Sequence, residues 1–205
     1  MIKNILFDMG NVLMDWDPNS YLDRENLSPE DRLTIWRGVY GSAEWQMTDR
    51  GSITLDEALE RMRVRIPGRL MPVAERLTKD WPPLVKYHEN MIPLVEALEK
   101  EGYGLYLLTN AGLNHHEYWP VSPFARFFGD RILLSADYKV LKPEAAFYEK
   151  ALSMFGLKAE ECVFIDDNAR NIEGACRCGI DGIVFFDRPQ LERELKLRGI
   201  RPFAD

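Results

Sequence analysis

Ile5-Leu6-Phe7-Asp8-Met9-Gly10-Asn11-Val12 is the stretch that decides the fold of this chain. Three apolar residues end abruptly in a carboxylate, and a Gly-Asn turn follows. The pattern predicts a short buried strand that delivers Asp8 to the carboxyl edge of a sheet, which is where open α/β sheets bind ligands. An aspartate at that edge can act as a nucleophile, as a metal ligand, or as both. A functional interpretation of these eight residues is supported only if later strands bring further polar residues to the same edge.

The composition of the chain is typical of a folded globular protein. Of its 205 residues, 46% are hydrophobic and 29% are charged, which argues against disorder and allows a sizeable core. The net charge of −7 gives no general reason to bind nucleic acid or an anionic membrane. No apolar run approaches a membrane span, and residues 1–4 do not resemble a signal peptide. The three cysteines include no C-x-x-C pair, so we expect reduced thiols in a cytoplasmic protein.

The region 17–90 predicts helices and no buried strand. Ser28-Pro29 offers a helix N-cap followed by a proline at the first helical position. Thr54 and Glu57 have the spacing of a capping box. We expect this region to form an α-helical cap, inserted into a core made of residues 1–16 and 91–205.

From residue 91 onward, helices and strands alternate. Helices are predicted to start at Pro93, at Pro143, after Asn168 and at Pro189, and strands are predicted at 104–108, 131–135, 162–165 and 182–186. Strand–helix alternation predicts a parallel sheet with right-handed crossovers, which defines the α/β class.

Carboxylates follow two of the five predicted strands. Asp8 ends the first strand, and Asp166-Asp167 end the fourth. If the strands are neighbours, the three carboxylates converge and repel one another, so the site needs a cation or protons. Ligands that are all oxygen suit Mg²⁺, which often bridges carboxylates and a substrate phosphate.

Residues suited to binding a phosphate are predicted at the same edge of the sheet. Thr109 and Asn110 end the second strand and can donate hydrogen bonds to phosphate oxygens. Lys142 precedes Pro143 and supplies a compact positive charge. Each residue alone has a structural explanation, but their ordered occurrence at strand ends favours a catalytic site.

These motifs together resemble the haloacid dehalogenase-like hydrolase superfamily. The resemblance rests on Asp8-x-Gly-Asn-Val, on Thr109-Asn110, on Lys142-Pro143, and on Ile165 to Asn168 followed by Asn171 to Ala175. It spans nearly the whole chain and implies a Rossmann-like core, a small α-helical cap and a phosphoaspartyl-enzyme mechanism with Mg²⁺. The first motif also resembles that of a subgroup containing sugar-phosphate phosphatases.

The resemblance also implies individual roles. Asp8 matches the nucleophile and a metal ligand, and Gly10 matches the residue whose backbone carbonyl binds the metal. Asp167 matches the usual metal carboxylate, and Asp166 matches a second or water-mediated ligand. The phosphate-binding residues of the family match Thr109, Asn110 and Lys142, and Lys142 is therefore also counted among the catalytic residues.

One departure concerns proton transfer. Phosphatases of this family usually carry a second aspartate two residues after the nucleophile as general acid and base, whereas this chain has Gly10. Asp15 is close in sequence but is not assigned this role, so the general acid stays unassigned. A missing acid predicts a preference for anomeric sugar phosphates, whose leaving groups are less basic, and a burst of product from an aryl phosphate.

Three functions follow from the sequence. The first is a Mg²⁺-dependent phosphatase for a small phosphorylated metabolite, expected to be a sugar phosphate. The second is a metal-independent 2-haloacid dehalogenase in which Asp8 attacks carbon, and the third is a non-catalytic binding module. Gln46 and Arg50 are cap residues that are expected to meet a sugar, while the cap aromatics are expected to pack the cap helices. No nucleic-acid or membrane partner is expected.

Overall fold

The computed structural model describes residues 1–201, and within them five parallel strands form a sheet in the order β3-β2-β1-β4-β5. The strands are β1 Asn4–Phe7, β2 Gly104–Thr109, β3 Ile132–Leu134, β4 Cys162–Asp166 and β5 Asp181–Val184. The predicted α/β class, with its Rossmann-like parallel sheet, is confirmed.

The register of β1 places the strand ends level with one another. Phe7 pairs with Leu107 on one side and with Ile165 on the other. Asp8 therefore stands beside Asp166, and β2 continues past it to Thr109. The sheet thus brings the polar residues of three strands to a single edge.

Residues 17–90 form helices: α1 Pro18–Leu22, α2 Pro29–Gly38, α3 Ala43–Asp49, α4 Leu55–Met62 and α5 Met71–Lys79. The predicted start of α2 is present, because the Ser28 hydroxyl accepts a hydrogen bond from Asp31 N at 3.2 Å. The capping box of Thr54 and Glu57 at the start of α4 is also present. We propose that these helices constitute a cap over the strand ends.

The remaining helices cover both faces of the sheet. They are α6 Ile92–Lys100, α7 His115–Tyr118, α8 Ala125–Phe128, α9 Ser135–Tyr138, α10 Ala145–Phe155, α11 Ala169–Arg177 and α12 Arg188–Leu197. Alternate residues of β1 point to opposite faces, so Ile5 and Phe7 join one hydrophobic cluster and Leu6 joins the other. Within residues 1–201, no helix combines the length and the apolar character needed to cross a membrane.

The prediction that Pro143 begins a helix was wrong, because α10 begins at Ala145. The Asn110 side chain holds the backbone of Lys142 on both sides: its Oδ1 accepts from Lys142 N at 2.9 Å, and its Nδ2 donates to Lys142 O at 3.1 Å. These two bonds keep the residue before Pro143 out of a helix, and the Lys142–Pro143 peptide bond is cis.

The fifth strand is also shorter at its end than predicted. The last residue of β4, Asp166, pairs with Val184, so β4 offers no paired residue beyond that point. Phe186, predicted inside the strand, is exposed.

Candidate active site

Lys142 lies at the centre of the polar edge. Its Nζ is 2.7 Å from Asp8 Oδ1, 2.7 Å from Asp166 Oδ2 and 3.0 Å from Leu108 O, which uses all three of its hydrogens. Burial by itself lowers the pKa of Lys142, but Asp166 and Asp8 more than offset this and raise it above the ordinary value. The ammonium is therefore charged and fixed against the predicted nucleophile.

Asp8 is buried at the end of β1. Besides Lys142, its Oδ1 accepts a hydrogen bond from Met9 N at 2.7 Å. Burial raises the pKa of the Asp8 carboxyl above its usual range, Lys142 lowers it, and Asp166 raises it. The side chain is held in one orientation with its oxygens toward the strand ends.

Asp166 is fully buried, and both of its oxygens have partners. Its Oδ1 accepts from Asn168 N at 2.8 Å, and Asn171 Nδ2 donates to both oxygens at 3.0 Å. Together with the Lys142 contact, these bonds make Asp166 the group that orients Lys142.

Asp167 lies closer to the surface. Its Oδ2 accepts from Asn11 Nδ2 at 2.9 Å. Burial raises the pKa of the Asp167 carboxyl, while the bond from Asn11 lowers it. The Asn11 contact fixes this carboxylate beside the first strand end.

The donor set fits a divalent cation. Asp8, Asp166 and Asp167 each offer an oxygen, and these oxygens lie within 4.8 Å of one another. The three carboxylates and the one ammonium of Lys142 leave two negative charges when all are ionised, which a single divalent cation balances. Ligands that are all oxygen match Mg²⁺.

The edge opens into a cavity of about 290 Å³. Of the residues predicted at the polar edge of the sheet, all but one line this cavity: Asp8, Gly10, Thr109, Asn110, Lys142 and Asp167. Asp166 is the exception, since it is fully buried against Lys142. The Asn110 side chain serves partly to hold Lys142, a role that its sequence position did not reveal.

The rest of the cavity lining includes aromatic and apolar side chains, Trp45, Leu55 and Trp81 from the proposed cap and Met14, Trp16 and Tyr118 from the core. We call this side of the cavity the cap end. Sequence patterns placed aromatic residues in the cap but did not single out Trp16 or Trp81. Their rings lie 4.9 Å apart, edge to face. The hydroxyls of Thr48 and Thr78 also border this end, but each donates to a carbonyl of its own helix at 2.7 Å.

Two cap residues expected to meet a substrate do not line the cavity. Gln46 is exposed, and Arg50 pairs with Glu144 and donates to Lys139 O. Asp15 is also outside the cavity lining, with its carboxylate 2.7 Å from His88 Nε2. Asp49, which lies between Gln46 and Arg50 in the sequence, does line the cavity. The pattern of polar and apolar residues in α3 did not indicate that Asp49 lines the cavity.

Comparison with known proteins identifies the class. A profile of the haloacid dehalogenase-like hydrolases matches residues 73–179, just over half of the chain. The chain belongs to this family, as its motifs indicated.

Individual relatives are phosphatases or share the fold. The chain is 27% identical over 187 residues to the sesquiterpene phosphatase astK of Aspergillus oryzae, covering 90% of each protein. It is 23% identical to the GMP/IMP nucleotidase YrfG of Escherichia coli, covering 87% of this chain and 80% of that one. The HAD-family enzyme BT-2542 of Bacteroides thetaiotaomicron, solved with magnesium and inorganic phosphate, has a TM-score of 0.71 at 21% identity and covers 93% of this chain and 99% of that one. The predicted enzyme class, a phosphoric monoester hydrolase of this family, is confirmed by these matches.

Proposed function

We propose that the protein is a Mg²⁺-dependent phosphatase that forms a phosphoaspartyl intermediate on Asp8. The observation that carries this proposal is the buried triad in which Lys142 joins Asp8 to Asp166 at the floor of the cavity. A carboxylate fixed by an ammonium, beside a second carboxylate pair, is suited to attack a dianionic ester once the site holds a cation.

Four residues of the chain have separate roles in the proposed phosphoryl transfer. Asp8 attacks phosphorus, and Lys142 holds Asp8 in line while its charge stabilises the phosphoryl oxygens. Thr109 is buried at the cavity wall and offers a hydroxyl to the same oxygens. Asn110 keeps Lys142 in place and contributes its remaining amide hydrogen.

Asp8, Asp167 and the Gly10 carbonyl would hold Mg²⁺, with Asp166 as an outer or second ligand. When bound, the cation neutralises charge on the transferring phosphoryl group. The cluster of Asp8, Asp166 and Asp167 also opposes a metal-independent dehalogenase, because it would repel a haloacid anion.

The cap end of the cavity supports a substrate with a compact, largely apolar organic group. Its walls are aromatic, and its two threonine hydroxyls are already engaged within their helices. Apart from Asp49, this end offers few polar groups to the hydroxyls of a sugar, and burying hydroxyls without partners is costly. The astK relative, named as a sesquiterpene phosphatase, supports the same direction.

A sugar phosphate, and an anomeric one in particular, is the second candidate. Gly10 favours it, because a chain without a carboxylate at this position gains most from a leaving group of low basicity.

Initial rates on a matched panel test both candidates. The panel contains short prenyl monophosphates, an anomeric sugar phosphate, the corresponding primary sugar phosphate and a 2-haloacid, each with Mg²⁺ and with a chelator. We expect Mg²⁺-dependent release of phosphate, with the highest kcat/KM on a prenyl ester. A faster anomeric sugar phosphate would reverse the order of the candidates. Release of halide from a 2-haloacid in chelator would contradict the phosphatase, and absence of any turnover would favour a binding module.

A further inference from the structure

Asp49 is an unpaired carboxylate in the wall of the cavity. It is the last residue of α3 and lines the same space as Asp8, Lys142 and Thr109. Among residues 1–201, no group forms a hydrogen bond or an ion pair with its side chain. Other cap carboxylates, such as Glu44 and Asp56, pair with Arg65 and Lys79 respectively.

The backbone around Asp49 is fixed to the core. Its carbonyl accepts a hydrogen bond from Ser135 Oγ at 2.5 Å, and Ser135 Oγ also accepts from Ala111 N at 2.9 Å. The next residue, Arg50, forms an ion pair with Glu144. The end of α3 is thus attached to the segments that follow β2 and β3, and this attachment holds the carboxylate at the cavity.

Gly51 completes this attachment. Its φ is +70°, and a Cβ on it would lie 2.1 Å from Ala136 O, so this close approach requires glycine. Asp49 is half-buried, so its carboxylate can meet a ligand in the cavity, and the anchored backbone fixes where it does so. This placement indicates a use in the reaction.

We propose that Asp49 is the general acid and base of this enzyme, supplied by the cap in place of the carboxylate missing at position 10. This inference rests on the proposed phosphatase function. Burial raises the pKa of the Asp49 carboxyl to about 8, which lets it enter the reaction protonated at neutral pH. The other titratable groups on the cavity are Asp8, Lys142, Asp167 and Tyr118.

The proton balance closes over two steps. In the first, Asp8 forms a bond to phosphorus, the bond from phosphorus to the leaving oxygen breaks, and Asp49 gives its proton to that oxygen. In the second, water attacks phosphorus, its proton passes to Asp49, and the bond to Asp8 breaks with release of phosphate. Asp49 ends as it began, protonated.

The test uses the full-length protein with Mg²⁺ and compares 3-methylbutyl phosphate, a poor leaving group, with 4-nitrophenyl phosphate, a good one. The missing carboxylate at position 10 would by itself predict a burst from the aryl ester. With Asp49 in that role we expect linear nitrophenolate release from the wild type, because both steps have their proton carrier. We expect Asp49→Asn to lower kcat on the alkyl ester by about 10²–10⁴-fold with little change in KM. On the aryl ester the same variant should give a burst close to one equivalent followed by slow turnover, since only the second step then needs the base.

Asp56→Asn is the matched control, because Asp56 is an exposed cap carboxylate outside the cavity. It should behave as the wild type does. Gly10→Asp in the Asp49→Asn background should recover alkyl turnover, since a Cβ at position 10 meets only Trp16, at 3.4 Å or beyond.

Three results would overturn the inference: a burst from the wild type, an equal loss on both esters in Asp49→Asn without a burst, or no loss at all. The wild-type burst is informative even if a variant does not fold. A wild type that hydrolyses neither ester would instead contradict the proposed phosphatase function.

Discussion

The two ends of the cavity are built in opposite ways. At the core end, the polar groups satisfy one another: Lys142 uses its three hydrogens, and both oxygens of Asp166 have donors. At the cap end, aromatic rings form the walls, and the Asp49 side chain forms no hydrogen bond or ion pair within residues 1–201. The difference teaches that the chemistry common to phosphate esters is fixed by a saturated network. We expect recognition of the organic group to depend on the shape of the cap end, and proton transfer to depend on Asp49.

Asp8→Asn gives the largest expected effect and tests the core end. The amide fits the same space but is a poor nucleophile, so we expect a loss on the order of 10⁶-fold in kcat, the scale seen when a catalytic nucleophile is removed. Circular dichroism should show an unchanged fold, since Lys142 keeps Asp166 as a partner. Turnover near the wild-type rate would remove Asp8 from the mechanism.

The second prediction separates two neighbouring carboxylates. Asp166→Ala leaves a buried ammonium with one carboxylate fewer, and we expect a loss of about 3–5 kcal/mol in the free energy of unfolding, the cost of breaking a buried ion pair. Asp167→Ala should leave stability nearly unchanged but raise the Mg²⁺ concentration needed for half-maximal rate by more than the first variant does. Urea unfolding and a metal titration on both variants measure the two effects. If Asp166→Ala is the more damaged in the titration, the ranking of the metal ligands is reversed.

Trp45→Ala tests the cap end. Trp45 is partly exposed and its ring lies 5.5 Å from that of Trp16. Losing part of this apolar wall should cost about 1.4 kcal/mol in binding, and so lower kcat/KM on a prenyl ester about tenfold. Acetyl phosphate, whose organic group is too small to reach the cap, should be hydrolysed as before. Equal losses on both substrates would show that the two ends are not independent.

The last prediction concerns stability as a function of pH. Burial raises the pKa of the Asp49 carboxyl from 3.8 to about 8, so the folded state is favoured most when this group is protonated. Its contribution to stability is therefore lost as the pH rises from about 4 to about 8. Asp49→Asn removes this loss, and the variant's Tm relative to wild type should rise over that interval. Thermal melts at both ends of the interval, with Asp56→Asn as control, measure the difference; a constant offset would show that the carboxyl is not desolvated.

The core end of the site was predictable from sequence for a physical reason. Parallel strands must end at a common edge, so an apolar run followed by Asp8, Thr109 or Asp166 determines position without knowledge of packing. The hydrogen bonds of Asn110 to the Lys142 backbone were not predictable, because no local pattern reports a contact between loops after different strands.

The cap end of the site was harder to predict from the sequence. Helical periodicity indicates which face of α3 packs inward, but it does not tell a cavity wall from a core. Gln46 and Arg50 were therefore expected at the substrate, while Asp49 was missed. The prediction of a helix starting at Pro143 was wrong for a similar reason, since the bonds from Asn110 override the local preference.

Gly51 has a consequence for comparative genomics. Because a Cβ there would lie 2.1 Å from Ala136 O, a descendant that replaces this glycine must move α3 relative to the strand ends. An aromatic wall can drift among Trp, Tyr and Phe without such a movement. If Asp49 is the acid, the loss of this one glycine is expected to mark the branches where the cap no longer supplies it and substrate choice diverged.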